Sequence, residues 1–221
     1  MPRHFDDELA KFKEILLIMG SYAESSVSQA VQAVTDRNDQ LAELVQHNDD
    51  IMDRYEIDID DMAINLLAKA PLATDLRLIT VAMKISQNLE RIGDEATTIA
   101  RRALELNTEP QLKSYIDIPR MAGIALALLR ESLDAFVNKQ PEKARAVVPR
   151  DKEVDALNRQ LYRELSSYMV ENPSTISRCL NLMTVAKSLE RVADHAANIA
   201  EEVVYLCEAR DIRHEANKPL P

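Results

Sequence analysis

Eight acidic residues of this chain form four pairs in which the members stand four positions apart. The pairs are Asp49 and Asp53, Glu90 and Asp94, Asp151 and Asp155, and Glu190 and Asp194. On an α-helix, residues four apart lie one turn from each other on the same face, so each pair would present two carboxylates together. Carboxylate oxygens suit hard cations such as Mg²⁺, Mn²⁺, Ca²⁺ or iron. The eight residues are therefore the predicted metal ligands, four in each half of the chain.

Such a concentration of negative charge must be offset in the folded protein. Like charges four residues apart destabilise a helix by about 0.2–0.5 kcal/mol per pair. One carboxylate can keep a proton, Arg91 and Arg191 can pair with the acids, or a cation can bind between them. A single pair of this kind is usually just solvated surface. Four pairs at equivalent places favour the metal.

Two further residues are weaker candidate ligands. His195 follows Asp194, but Glu95 stands at its counterpart in the first half. Glu56 could extend the first site, although Asn158 replaces it in the second half. The sequence contains no recognisable nucleophile–base pair and no glycine-rich nucleotide loop, so no catalytic or cofactor-binding residue is predicted.

An internal repeat relates the two halves. Residues 89–100 and 189–200 are identical at seven of twelve positions and lie one hundred residues apart. The acidic pairs recur in the same order in both halves, which indicates a tandem duplication. The predicted domains are residues 1–108 and residues 109–221, the second ending in a loose tail after Asp211.

The elements that carry the acids are predicted to be helices. Apolar residues recur at spacings of three and four, as on one face of a helix packed in a bundle. The longest such stripes are Leu78, Ala82, Ile85, Leu89, Ile92, Ala96, Ile99, Ala103 and Leu106, and Leu182, Val185, Leu189, Val192, Ala196, Ile199, Val203 and Leu206. The chain has only three glycines, too few for a β-rich fold of 221 residues. We expect an all-α protein of two three-helix bundles, with six helices of roughly 25 to 35 residues each.

Helix-breaking and capping residues predict where these helices end. Asn38 or Asp39 is expected to cap the second helix and Thr74 the third. The other predicted boundaries are Ala70–Pro71, the linker Glu109–Pro119, Gln140–Pro141 and Asn172–Ser174.

The charge and apolar runs of the chain limit its partners. A net charge of −10 disfavours sequence-independent nucleic-acid binding and direct attachment to an anionic membrane. The longest apolar run, Met121–Leu129, is too short to span a bilayer. With no signal-peptide pattern after Met1, and with Cys179 and Cys207 read as reduced thiols in helices, we expect a soluble cytoplasmic protein.

Several segments resemble a known family, the PhoU regulators of phosphate transport. They are residues 89–94 and 189–202, which resemble the two PhoU repeats, together with residues 71–77 and 211–214. The resemblance implies two tandem three-helix bundles. It also implies metal clusters, of iron, zinc or other divalent ions such as manganese or magnesium, held by Glu/Asp-x-x-x-Asp motifs that match all four acidic pairs.

The same resemblance implies a function. PhoU proteins act as negative regulators of phosphate uptake and of the phosphate-starvation response. They are thought to connect the ATPase subunit of a phosphate ABC transporter to a two-component sensor histidine kinase. The resemblance does not decide between a monomer and a homodimer. This chain is therefore expected to be a metal-binding adaptor and not an enzyme.

Two alternatives to that function follow from the residues. A carboxylate-bridged di-metal enzyme, or a metal-storage bundle, would use similar acids, but such proteins typically carry Glu-x-x-His motifs. No such motif occurs here, because the third residue after Glu90 is Gly93 and the third residue after Glu190 is Ala193. In the second alternative the protein is a purely structural adaptor whose acids are solvated.

Overall fold

The computed structural model describes residues 2–69 and 72–213, with side chains from Phe5 onward. Within these residues all regular secondary structure is helical. The predicted helix end at Ala70–Pro71, His214 of the closing motif and most of the predicted tail lie outside the described residues.

The described chain folds into two bundles that follow each other in sequence. The first contains α1 (Pro2–Thr35), α2 (Asp39–His47), α3 (Asp49–Leu67) and α4 (Ala73–Asn107). The second contains α5 (Asp117–Asn138), α6 (Pro141–Val147), α7 (Asp151–Glu171) and α8 (Ile176–Glu208), with 3₁₀ turns at Val148–Arg150 and Pro173–Thr175. In each bundle the middle helix is made of two pieces, α2 with α3 and α6 with α7. The predicted fold class, a tandem duplication of two three-helix bundles, is confirmed.

Six long helices are present among the described residues, as predicted, but the middle helix of each bundle is preceded by a shorter, separate helix. In the first bundle, Asn48 has φ −89° and ψ 4°, which separates the 9-residue α2 from the 19-residue α3. In the second, a 3₁₀ turn containing Pro149 separates α6 from α7, since proline has no N–H to continue the helix. The two breaks stand at equivalent places. As a result, Asp49 and Asp151 are the first residues of α3 and α7.

Some of the other predicted helix ends agree with the structure and some do not. Asn38 caps α2, because its side chain accepts a hydrogen bond from the Leu41 N–H at 3.1 Å. Thr74 caps nothing, because α4 already begins at Ala73 after Leu72. The linker is shorter than predicted, residues 108–116, and Pro119 lies in the first turn of α5, where a missing N–H is tolerated.

The apolar stripes predicted on α4 and α8 are buried along their whole length. The middle helix of the first bundle does not bury one continuous stripe. Leu44 is 46% exposed, whereas Ala42 and Val45 are buried. The break at Asn48 resets the helical register, so a single stripe could not be extended across it.

The two bundles meet through α4 and α8, which pack directly against each other. The buried apolar residues of both halves consequently form one continuous core. Polar contacts reinforce this junction: Arg191 Nη1 lies 3.0 Å from Glu95 Oε1, and Lys84 Nζ lies 3.0 Å from the buried Glu202 Oε2. The division into domains at residue 108 stays a prediction. None of the described helices is apolar over a stretch sufficient to cross a membrane.

Candidate metal-binding sites

The first candidate site lies where the start of α3 packs on the middle of α4. Gly93 stands between the two α4 acids and lets the helices approach closely. A Cβ at this position would lie 2.9 Å from Met52 Cγ, which is too close for normal packing. The pair Asp49 and Asp53 on α3 is thereby held against the pair Glu90 and Asp94 on α4.

The acids of this site repel one another, and this repulsion contributes to raised pKa values. Burial, followed by the charges of Asp94 and Glu56, raises the pKa of Glu90 to about 7, against a partial lowering by Arg91. Burial first, then Asp49 and Asp53, raises the pKa of Asp94, while a side-chain hydrogen bond with Glu90 lowers it. The four acids predicted for the first site are therefore close enough to interact.

Two other side chains belong to this first cluster. Burial, then Asp60 and Asp53, raises the pKa of Glu56, so Glu56 faces the same acids as the sequence suggested. Thr97 was missed. Its buried Oγ1 donates to Asp49 Oδ1 at 2.8 Å and orients that carboxylate. Its position one turn after Asp94 on α4 could have revealed it, although Ala197 stands at the equivalent place in the second half.

The second candidate site lies where the start of α7 packs on α8. Burial, then Glu190, Asp155 and Asp151, raises the pKa of Asp194 to about 6, and Lys187 opposes that rise. All four acids predicted for the second site are thus brought together as well.

The carboxylates of the second site differ in their partners. Glu190 forms an ion pair with Lys187, one turn before it on α8. Asp155 Oδ2 lies 3.7 Å from Arg159 Nη1. In contrast, Asp151 Oδ1 is buried and accepts no hydrogen bond from the described residues. This oxygen is the least compensated acceptor of the cluster.

Glu201 is a further acid that the sequence reasoning missed. It lies two turns after Asp194 on α8. Burial raises its pKa, Arg213 opposes the rise, and the charge of Asp151 adds to it. Glu201 therefore borders the second site on the side of Asp151, and its counterpart in the first half is Arg101.

Arg191 and His195 point away from the second site. Arg191 pairs with Glu95 on α4, so it does not neutralise the acids beside it in sequence. His195 Nδ1 lies 3.0 Å from Asn88 Oδ1, also on α4. Burial, and then Arg91, lowers the pKa of His195. Both side chains serve the junction between the bundles, in contrast to the sequence-based expectation that they could act at the acids.

The donor chemistry of both sites fits a hard cation. No three His, Cys, Asp or Glu side chains within residues 2–69 and 72–213 form a ready-made binding group. The raised pKa values of Glu90 and Asp194 nevertheless indicate that their ionised forms are disfavoured by burial and neighbouring carboxylates, and Asp151 has an unpartnered oxygen; a bound cation would stabilise the ionised carboxylates. The residues that would hold it are Asp49, Asp53, Glu90 and Asp94 in one site, and Asp151, Asp155, Glu190 and Asp194 in the other. Metal binding itself stays a prediction.

A family model and named sequence relatives that match this chain point to the same family. The model of the PhoU domain matches residues 16–103 and 118–203. A phosphate-specific transport system accessory protein PhoU homolog of Pseudomonas aeruginosa is 40% identical over 214 residues, covering 96% of this chain and 88% of the relative. The homolog of Rhizobium meliloti is 38% identical over 204 residues, covering 91% and 86%.

Solved structures agree with these sequence relatives. The crystal structure of PhoU from Pseudomonas aeruginosa superposes with a TM-score of 0.90 at 40% identity, covering 93% of this chain and all of that one. The phosphate transport system regulatory protein PhoU from Streptococcus pneumoniae gives a TM-score of 0.88 at 28% identity, covering 94% and 99%.

Proposed function

This chain belongs to the PhoU family, and from that premise we propose that it is an accessory regulator of a phosphate-specific transport system. The observation that carries the proposal is the match of both repeats to the family, together with relatives of that name over nearly the full chain. In this role the protein keeps phosphate uptake and the phosphate-starvation response low when phosphate is abundant.

The regulator would act as an adaptor at the cytoplasmic face of the transporter. Its partners would be the ATPase subunit of the ABC transporter and a sensor histidine kinase. The support is the family membership and the net charge of −10, which suits basic protein surfaces and not nucleic acid.

The acidic clusters would give this adaptor its metal-dependent stability. A divalent or iron cation bound there would neutralise the crowded carboxylates and hold α3 to α4 and α7 to α8. The protein's own contribution is to place the acids beside a core that limits water access. The identity of the metal, among iron, zinc, manganese and magnesium, is a matter for elemental analysis.

Deletion of the gene tests the regulatory role. We expect phosphate-starvation genes, read through a phosphatase reporter, to stay expressed in phosphate-rich medium and to be repressed again by the wild-type gene on a plasmid. Capture of the transporter ATPase or the sensor kinase from phosphate-replete cells tests the adaptor role. Normal repression in a deletion strain with no second copy of the gene would refute the assignment.

The rival functions are separated by measurements on protein purified without chelator. A di-metal oxidase would consume oxygen when loaded with Fe(II), and a storage bundle would take up many metal ions per chain. A regulator is expected to do neither, and to bind a few ions at the two clusters. An adaptor with solvated acids would contain no metal at all.

A further inference from the structure

A cavity of about 570 Å³ lies at the junction of the two bundles, far along α4 and α8 from the acidic clusters. Its walls come from both halves: α1 and the first turns of α4 on one side, and the ends of α5 and α8 on the other. Buried leucines form the apolar part of the wall, at Leu9, Leu78 and Leu206. A cavity of this volume is in the range that holds small organic ligands.

Three cationic side chains line this cavity in a protein that is otherwise strongly acidic. They are Lys13 on α1, Arg77 on α4 and Lys139, which ends α5 in the left-handed conformation with φ 50°. The side-chain ammonium groups of Lys13 and Lys139 form no ion pair or hydrogen bond with another described residue, although the Lys139 backbone N–H donates to the Phe136 carbonyl. Burial, and then the charge of Lys139, lowers the pKa of Lys13, so the two ammonium groups repel each other across the cavity.

The carboxylates that line the cavity compensate this charge only in part, since Asp75 raises the pKa of Lys13 less than burial and Lys139 lower it. Glu208 forms an ion pair with Arg145, which leaves Asp75 as the acid close to Lys13. Arg77 is held in place by the Leu206 carbonyl, to which its Nη1 donates at 3.4 Å. The lining thus holds three cations against one uncommitted carboxylate, which is the charge balance of an anion site.

We propose that this cavity binds a phosphate group, carried either by inorganic phosphate or by a small organic phosphate ester. The choice of phosphate among anions rests in part on the proposed function, and it also has a chemical reason. Lysine and arginine bind phosphate oxygens well. The Asp75 carboxylate can accept the proton of hydrogen phosphate, or of the monoanion of a phosphate ester, but would repel sulfate, which has no proton to donate at neutral pH. The apolar wall leaves room for the organic part of an ester.

The position of the site gives the ligand a role. Lys13 and Arg77 belong to the first half, and Lys139 belongs to the second. A bound phosphate therefore bridges the two halves with charge-assisted hydrogen bonds where like charges now repel. Binding would stabilise this end of the junction between the bundles.

The test is calorimetric titration of the full chain at constant ionic strength with inorganic phosphate, glycerol 3-phosphate and sulfate. The protein is first treated with chelator, so that phosphate cannot bind through metal at the acidic clusters. We expect saturable binding of one phosphate group per chain, with sulfate at least about tenfold weaker. Saturation by glycerol 3-phosphate at concentrations where inorganic phosphate does not bind would identify the ester as the ligand.

Charge variants connect the binding to the cavity. Lys13→Met and Lys139→Met should each weaken phosphate binding at least about tenfold. Lys13→Arg should retain it, which guards against loss through misfolding. Lys11→Met, an exposed lysine two residues earlier on α1, is the matched control and should bind like the wild type. Asp75→Asn should abolish the preference for phosphate over sulfate.

Three outcomes would overturn the proposal: no saturable binding of either inorganic phosphate or glycerol 3-phosphate at millimolar concentration, equal binding of sulfate, or equal effects of Lys13→Met and Lys11→Met. The proposed function is judged separately by the deletion strain. Persistent starvation-gene expression in that strain, with no phosphate binding by the purified chain, would refute the cavity while leaving the regulatory role intact.

Discussion

Replacing Glu90 with glutamine should stabilise the metal-free protein at alkaline pH and leave it unchanged at acidic pH. The folded state holds the Glu90 proton more tightly than the unfolded state, because burial and neighbouring carboxylates raise its pKa from 4.5 to about 7. As the pH rises through this window, the unfolded chain releases the proton first, so folding stability falls. The loss is complete above about pH 7. Glutamine has a similar shape and no charge to lose.

The size of this effect follows from the same pKa values. The rise from 4.5 to about 7 corresponds to at most about 3.4 kcal/mol, at 1.36 kcal/mol for each pH unit. Glu90 is partly exposed, so solvent screening reduces the expected gain to roughly 1–2 kcal/mol. For a chain of this length, that gain would raise the melting temperature by about 2–8 °C.

Urea denaturation of chelator-treated protein at pH 5 and pH 8 provides the measurement. Glu90→Gln should be more stable than the wild type at pH 8, and the difference should shrink to about a quarter at pH 5, which is slightly above the ordinary pKa of 4.5. Glu14→Gln, an exposed change on α1, is the control and should stay within about 0.5 kcal/mol at both pH values. Equal effects of Glu90→Gln at the two pH values, or destabilisation at pH 8, would contradict the crowding described for the first site.

Other expected outcomes concern metal, helix packing and the junction between the bundles. Chelation should lower the melting temperature near neutral pH, since a metal at a hundredfold excess over its Kd adds about 2.7 kcal/mol; coincident melts with and without EDTA, and no metal by elemental analysis, would refute the metal sites. Gly123→Ala should stabilise the protein by about 0.5–1 kcal/mol in urea unfolding, because nothing lies within 4 Å of the added Cβ. Gly93→Ala should destabilise it by roughly 1–2 kcal/mol, because the new Cβ meets buried Met52. Lys84→Met should cost about 1–3 kcal/mol by leaving the buried Glu202 with one fewer partner, and Lys84→Met with Glu202→Gln should recover part of that loss.

The helical stripes and the repeat were predictable from sequence because they depend on local spacing. Every apolar residue predicted on α4 and α8 is buried, and the acids lie on the partly exposed flank of those stripes. The breaks in the middle helices were missed although signals existed. Pro149 interrupts one helix, and Asn48 precedes two aspartates in the pattern of a new helix start. Because the apolar spacing was followed past these residues, the predicted middle helices were too long.

The partners of the site residues could not be predicted in the same way. Arg191 adjoins Glu190 in sequence but pairs with Glu95 in the other half, because helix packing directs neighbouring side chains to different faces. Thr97 contacts Asp49 only because α3 and α4 are in register. Sequence repeats could place acids on the same helix face, but the identity of each counter-charge depends on which helix lies opposite.

The packing of α4 on α8 also determines how independently the two repeats can diverge. In a dimer of identical chains, every substitution at the interface occurs twice, at places related by symmetry. In this chain it occurs once. Arg91 and Arg191 are equivalent, yet Arg191 faces the acid Glu95 whereas Arg91 lies near His195 at the matching place. The duplication therefore keeps the geometry of a symmetric dimer, but the two halves need not have the same sequence. One acidic cluster can consequently acquire a cation affinity that the other does not share.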